Sequence, residues 1–129
     1  MDSRKHISQM TIQEETYLKN IYRRVRDPIF TPYSLKRLYQ RGIQPFRVVR
    51  TIKLGELIEF HVKDNSCRVL IRESRPVHGV VTNVVLELFT KKVITSFKNC
   101  ADDRHWNLDG SLYNKHLDII KILRSGENV

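Results

Sequence analysis

Apolar positions along the chain keep a helical period up to about residue 54, alternate from there to residue 97, and return to a helical period near the end. Met1 to Met10 is polar without a period and reads as a flexible tail. Thr11 with Glu14 three residues on forms a capping-box pattern. Leu18, Ile21, Tyr22 and Val25 follow at helical spacing and predict a helix over 12–26. Asp27-Pro28 ends it, because the residue before proline avoids the α region. Thr31-Pro32 starts a second helix with Leu35, Leu38 and Tyr39, and Gly42 stands where a helix-ending glycine belongs. Pro45 opens a short third helix, with Phe46, Val48, Val49 and Ile52 on its apolar side and Gly55 closing it.

Leu57 to Val62 and Cys67 to Arg72 read as strands joined by the turn Lys63-Asp64-Asn65-Ser66, a hairpin. Val77 to Phe89 is a long β-branched run, turned by Thr90-Lys91-Lys92 into Val93 to Phe97. Asn99 to Gly110 is polar and loop-like, and a closing helix is expected near 112–124 from the spacing of Leu112, Leu117, Ile119, Ile120 and Leu123. The expected fold is α+β: N-terminal helices packed on a roughly four-stranded antiparallel sheet, with a closing C-terminal helix. One domain over 11–124 is expected, with tails at 1–10 and 125–129.

Composition narrows the function. A net charge of +9 is concentrated between Lys19 and Lys53, where ten basic residues face one acid, Asp27. Such a block attracts polyanions, because each phosphate it neutralises releases counterions. The bland alternatives are a solvated helical face or a patch for an acidic protein. No apolar run approaches the roughly 20 residues of a membrane helix, and the N-terminus lacks the apolar core of a secretory signal. A cytoplasmic location and reduced thiols at Cys67 and Cys100 are the expectation. Cys100 with His105 supplies only half of a tetrahedral zinc site, and Asp102-Asp103 reads as solvated acids, so neither a metal nor a cofactor is expected.

Tyr33, Arg37 and Arg41 lie at i, i+4 and i+8, one stripe of a helix that can grip phosphate. The order of features around that stripe resembles a small family related to the bacterial ribonuclease toxins of the barnase–EndoU–RelE superfamily. The matching pieces are Arg37-x3-Arg41-Gly42-Ile43, Gly55-Glu56-Leu57-Ile58, Arg68-Val69-Leu70-Ile71-Arg72, His78-Gly79-Val80-Val81 and Lys92-Val93-Ile94-Thr95-Ser96-Phe97. They cover 33–97, about half the chain. Such a resemblance implies a toxin-like, metal-independent endoribonuclease that cleaves RNA, with tRNA or mRNA as targets, by 2′-hydroxyl attack on the adjacent phosphate. A cognate antitoxin, immunity protein or other acidic partner goes with that reading.

The family's helix-initial His is Tyr33 here, and a phenol with a pKa near 10 is a poor base at neutral pH. Three readings follow: Tyr33 positions or donates, another His carries the proton, or the chain binds without cutting. The candidate catalytic residues are Tyr33, Arg72, His78, Thr95 and His105, with the two His as proton carriers. Candidate RNA-binding residues are Arg37, Arg41, Arg68, Lys92 and Ser96. Arg68 and Arg72 alternate with Val69 and Ile71, so both are expected on the side of their strand turned away from the core. The competing functions are a non-catalytic RNA- or protein-binding regulator on the same scaffold, and a DNA-binding regulator with residues 33–53 as a helix-turn-helix.

Overall fold

The computed structural model describes residues 2–102 and 113–127. Among these the elements run β1 (Asp2–His6), a 3-10 turn (Ile7–Gln9), α1 (Ile12–Tyr22), β2 (Ile29–Phe30), α2 (Pro32–Gln40), α3 (Pro45–Leu54), β3 (Glu56–Lys63), β4 (Ser66–Arg72), β5 (Val80–Glu87), β6 (Lys92–Cys100) and α4 (Ile119–Glu127). The α+β class holds. The sheet, however, has six strands in the order β1-β3-β4-β5-β6-β2, and it is mixed: the four expected strands form an antiparallel meander, but β2 runs parallel to β6. Two residues are too few to display a period, which hid β2 from the sequence.

The expected tail at 1–10 is corrected. Asp2–His6 pairs antiparallel with Glu59–Lys63 as an edge strand. It carries no apolar residue, so it shows no hydrophobic alternation. Its inward-facing residue is Lys5, whose Nζ donates to Glu14 Oε1 at 2.6 Å and to the Leu117 carbonyl at 2.9 Å. The helix over 12–26 stops at Tyr22, and Val25 N–H bonds back to the Tyr22 carbonyl in a 3-10-like turn that still buries Val25. The closing helix begins at Ile119, with residues 113–118 non-helical and residue 112 outside the described residues. It runs on to Glu127, so 125–127 are helix and not tail.

All the helices contribute to one core. Leu18, Tyr22, Leu38, Val48, Ile52 and Leu123 meet the inward residues of the central strands, among them Phe60, Val69, Ile71, Val84 and Leu86. α2 packs on β6 and α3 on β4 and β5. The opposite face of the sheet therefore carries the polar half of each alternation. Arg47, on α3, makes two close bonds to Glu73, with Nε to Oε2 at 2.9 Å and Nη2 to Oε1 at 2.7 Å, fastening the helix to the segment after β4. Gly55, between α3 and β3, sits where a Cβ would meet the Thr51 carbonyl and the Arg72 carbonyl (2.6 Å), both backbone. Gly55→Ala is expected to destabilise the protein by about 1–3 kcal/mol through overpacking, read as a lowered urea midpoint.

Candidate functional site

The polar face is built from rows of directly paired residues. Arg4 of β1 opposes His61 of β3, His61 opposes Arg68 of β4, and Arg68 opposes Glu87 of β5. The next row reads His6, Glu59, Leu70, Val85 and Thr95. These rows line a groove of about 470 Å³ whose walls include Arg4, Glu59, His61, Lys63, Arg68 and Thr95. A second hollow of about 520 Å³ shares Lys63, Arg68 and Ile94 with it and extends it to Lys92.

Within the groove, Asp2 Oδ1 lies 2.6 Å from His61 Nε2, and the hydrogen bond from the imidazole holds the Asp2 carboxyl below its ordinary range. Glu59 accepts from Arg4 Nη1 and from Tyr113 Oη, each at 3.0 Å. Arg68 donates to Ser66 Oγ at 3.0 Å, and neither Arg68 nor Lys63 has a carboxylate partner among the described residues. Glu87 is committed to backbone: it accepts from the N–H groups of Phe89 and Thr90 in the β5–β6 turn and of Cys67 on β4. His6 is a different kind of histidine. Its ring caps the 3-10 turn through Ser8 N, and burial pushes its pKa down against the opposing pull of Glu59.

Of the residues expected from sequence, Arg68, Thr95 and Lys92 line this continuous groove. A bulge between Val85 and Leu86 in the β5–β6 pairing sets the register there. It leaves Thr95 opposite Val85 on the groove side, and Ser96 opposite inward-facing Val84. Ser96 is therefore buried, with its hydroxyl turned away from any ligand, and its expected contact with RNA is corrected. Arg72 shares the polar face but pairs with Asn83, outside both groove rows. Its guanidinium donates to the Ala101 carbonyl and lines a separate hollow.

His78 also lies away from the groove. It occupies the tip of a two-residue turn with Gly79, both at positive φ (54° and 75°), between Val77 and Val80, which exchange backbone bonds of 2.8 and 3.1 Å. The side chain is exposed on that tip and lines no part of the groove. His105 lies outside the described residues. Tyr33 and Arg37 are on the exposed side of α2, bonded to each other and not among the groove walls. Arg41 reaches the groove's rim by donating to Thr95 Oγ1 at 3.1 Å.

The residues that sequence reasoning missed are Asp2, Arg4, Glu59, His61, Lys63 and Tyr113. A signal existed for three of them. Glu59, His61 and Lys63 alternate with Phe60 and Val62, which assigns them to the polar face of β3 as surely as Arg68 is assigned to that of β4. Burial and Glu87 push the Cys67 thiol up to about 11, so it is inert as a nucleophile at neutral pH. Among the described residues, no three His, Cys, Asp or Glu side chains are grouped so as to hold a metal ion. No family model, no curated protein and no solved structure matches the chain.

Proposed function

We propose that the groove binds a single RNA strand and that the protein is a toxin-like, metal-independent endoribonuclease. The observation that carries this reading is His61, held by Asp2, directly opposite Arg68 on a grooved sheet face, with Glu59 two residues along the same strand. Two residues of strand separate the backbones of Glu59 and His61 by about 7 Å, which leaves room for one phosphodiester between a base and an acid. Glu59 takes the proton of the 2′-hydroxyl, and that oxygen attacks phosphorus. The bond from phosphorus to the 5′-oxygen breaks, and His61 protonates the departing oxygen. The products are a 2′,3′-cyclic phosphate and a 5′-hydroxyl.

Arg68, with Lys63 beside it, supplies fixed positive charge where the pentacoordinate phosphorane carries most negative charge. Arg4 and Tyr113 fix the rotamer of Glu59, as Asp2 fixes that of His61. Purified protein incubated with total RNA or tRNA in EDTA is expected to leave 2′,3′-cyclic ends. RNA left intact at high protein concentration would overturn the enzyme reading, and salt-sensitive binding without cleavage would replace it with a binding protein.

A further inference from the structure

We infer that the strand is held over a longer track than the groove: beyond Thr95 it passes over the free edge of β6 onto α2, where Arg37, Arg41 and Lys98 bind backbone phosphates and Tyr33 stacks on a base. This rests on the reading of the groove as an RNA site. β2 pairs with β6 only at Lys92 and Val93, so no strand covers the rest of that edge among the described residues. Arg41 lies across it, donating to Thr95 Oγ1 at 3.1 Å and to the Ser96 carbonyl at 2.5 Å. The guanidinium thus touches the same hydroxyl that enters the groove.

Lys98, two residues along β6 from Ser96, brings its Nζ to 3.5 Å from the point where a Cβ would stand on Gly42, the positive-φ residue after α2. One turn back along α2, Arg37 lies over the Tyr33 ring, 5.2 Å from its centroid, with Nε donating to the phenol at 3.0 Å. From Tyr33 to Arg41 the helix rises about 12 Å, the reach of a short run of nucleotides. The Tyr33 ring is 59% exposed.

Among the described residues these cations share with Arg68 and Lys63 of the groove the lack of a carboxylate partner, and their position on one path beyond Thr95 is what joins them. Lys5, Lys19, Arg47 and Arg50 each meet a carboxylate, and so does Arg4 in the groove. Among the described residues, no carboxylate forms an ion pair with Arg37, Arg41 or Lys98. Three unneutralised cations beside an exposed aromatic plane suit a single strand, whose bases are free to stack, better than a duplex, whose bases are already stacked.

The test uses the intact protein and 2′-O-methyl oligoribonucleotides, which lack the attacking hydroxyl, with binding read by fluorescence anisotropy. Arg37→Ala/Lys98→Ala, with its melting temperature checked against wild type, is expected to bind a 12-mer at least about tenfold more weakly at 0.1 M salt. Its log–log salt slope should fall by about 1.4, two phosphates at about 0.7 each. Tyr33→Ala is expected to weaken the 12-mer without changing that slope. A trimer, too short to reach α2, should bind all the proteins alike. An unchanged 12-mer affinity and slope in Arg37→Ala/Lys98→Ala would overturn the inference, as would an equal loss for the trimer or tighter binding of a DNA duplex of the same length. The cleavage reading fails separately: if wild type cuts no RNA yet the α2 variants lose 12-mer binding, the track stands and the enzyme does not.

Discussion

His61→Ala is expected to lower the single-turnover rate of RNA cleavage in EDTA by about 10²–10⁴-fold, the range for loss of a general acid or base. Binding of uncut RNA should be far less affected, because the proposed phosphate contacts are those of Arg68 and Lys63 and of the track on α2, and not of His61. Glu59→Gln is expected to give a loss of the same order, because the amide keeps one acceptor oxygen, for Arg4 or for Tyr113, but cannot take the proton. Asp2→Asn tests the orienting role: it leaves His61 in place without its carboxylate and is expected to lower the cleavage rate more than the binding. His78→Ala is the control, since that imidazole sits on an exposed turn tip and lines no part of the groove. A His78→Ala protein as inactive as His61→Ala would show that the groove is not the reaction site.

Glu14→Ala is expected to destabilise the fold by about 3–5 kcal/mol, the cost of leaving a buried charge without its partner. Against total stabilities of about 5–15 kcal/mol for a domain, that is a large fraction. Glu14 joins three parts of the chain: Oε1 accepts from Lys5 Nζ at 2.6 Å and from Thr11 N–H at 3.0 Å, and Oε2 accepts from Ile119 N–H at 3.1 Å. Both members of the pair are nearly buried, with side-chain exposures of 5% and 6%. Removing the carboxylate strands the ammonium and two backbone donors together. Lys5→Met with Glu14→Leu should recover the part of the loss that comes from the stranded ammonium, and not the part from the Thr11 and Ile119 N–H groups.

The same pair ties stability to pH. Burial pushes the Glu14 carboxyl up, but Lys5 and the two backbone N–H groups outweigh it, so its pKa in the folded state lies below its ordinary value of 4.5. Glu73 follows the same course, with burial opposed by Arg47, Thr82 N–H and Arg50. A carboxyl with a lowered folded pKa stabilises fully above the unfolded value and ceases to do so as pH falls through the folded one. Urea midpoints should therefore begin to fall below about pH 6.5, where His6 takes up a proton in the unfolded chain before the folded one, and fall further below about pH 4.5, the second drop being shallower in Glu14→Gln. A midpoint independent of pH down to 3 would contradict this. Because β1 carries Asp2 and Arg4 into the groove, a protein that loosens β1 should lose cleavage before it unfolds globally.

The sequence by itself determined the elements whose side chains follow a period. The capping box at Thr11–Glu14, the prolines at the starts of α2 and α3, the β3–β4 hairpin and the inward pair Val69 and Ile71 all follow from local propensity and alternation. So does the placement of Arg68 on the polar face, since period two leaves no other choice. What local pattern does not encode is which distant strands become neighbours. β1 is held in the sheet by a buried lysine matched to a glutamate on α1, and β2 by two residues beside β6, so neither shows an alternation of apolar and polar residues. Only tertiary pairing sets Arg4 opposite His61 and His61 opposite Arg68, and only the bulge on β6 turns Thr95 outward and Ser96 in. Side chains from opposite ends of the sequence meet in this groove because hydrogen bonding between strands, and not spacing along the chain, sets the distances between them.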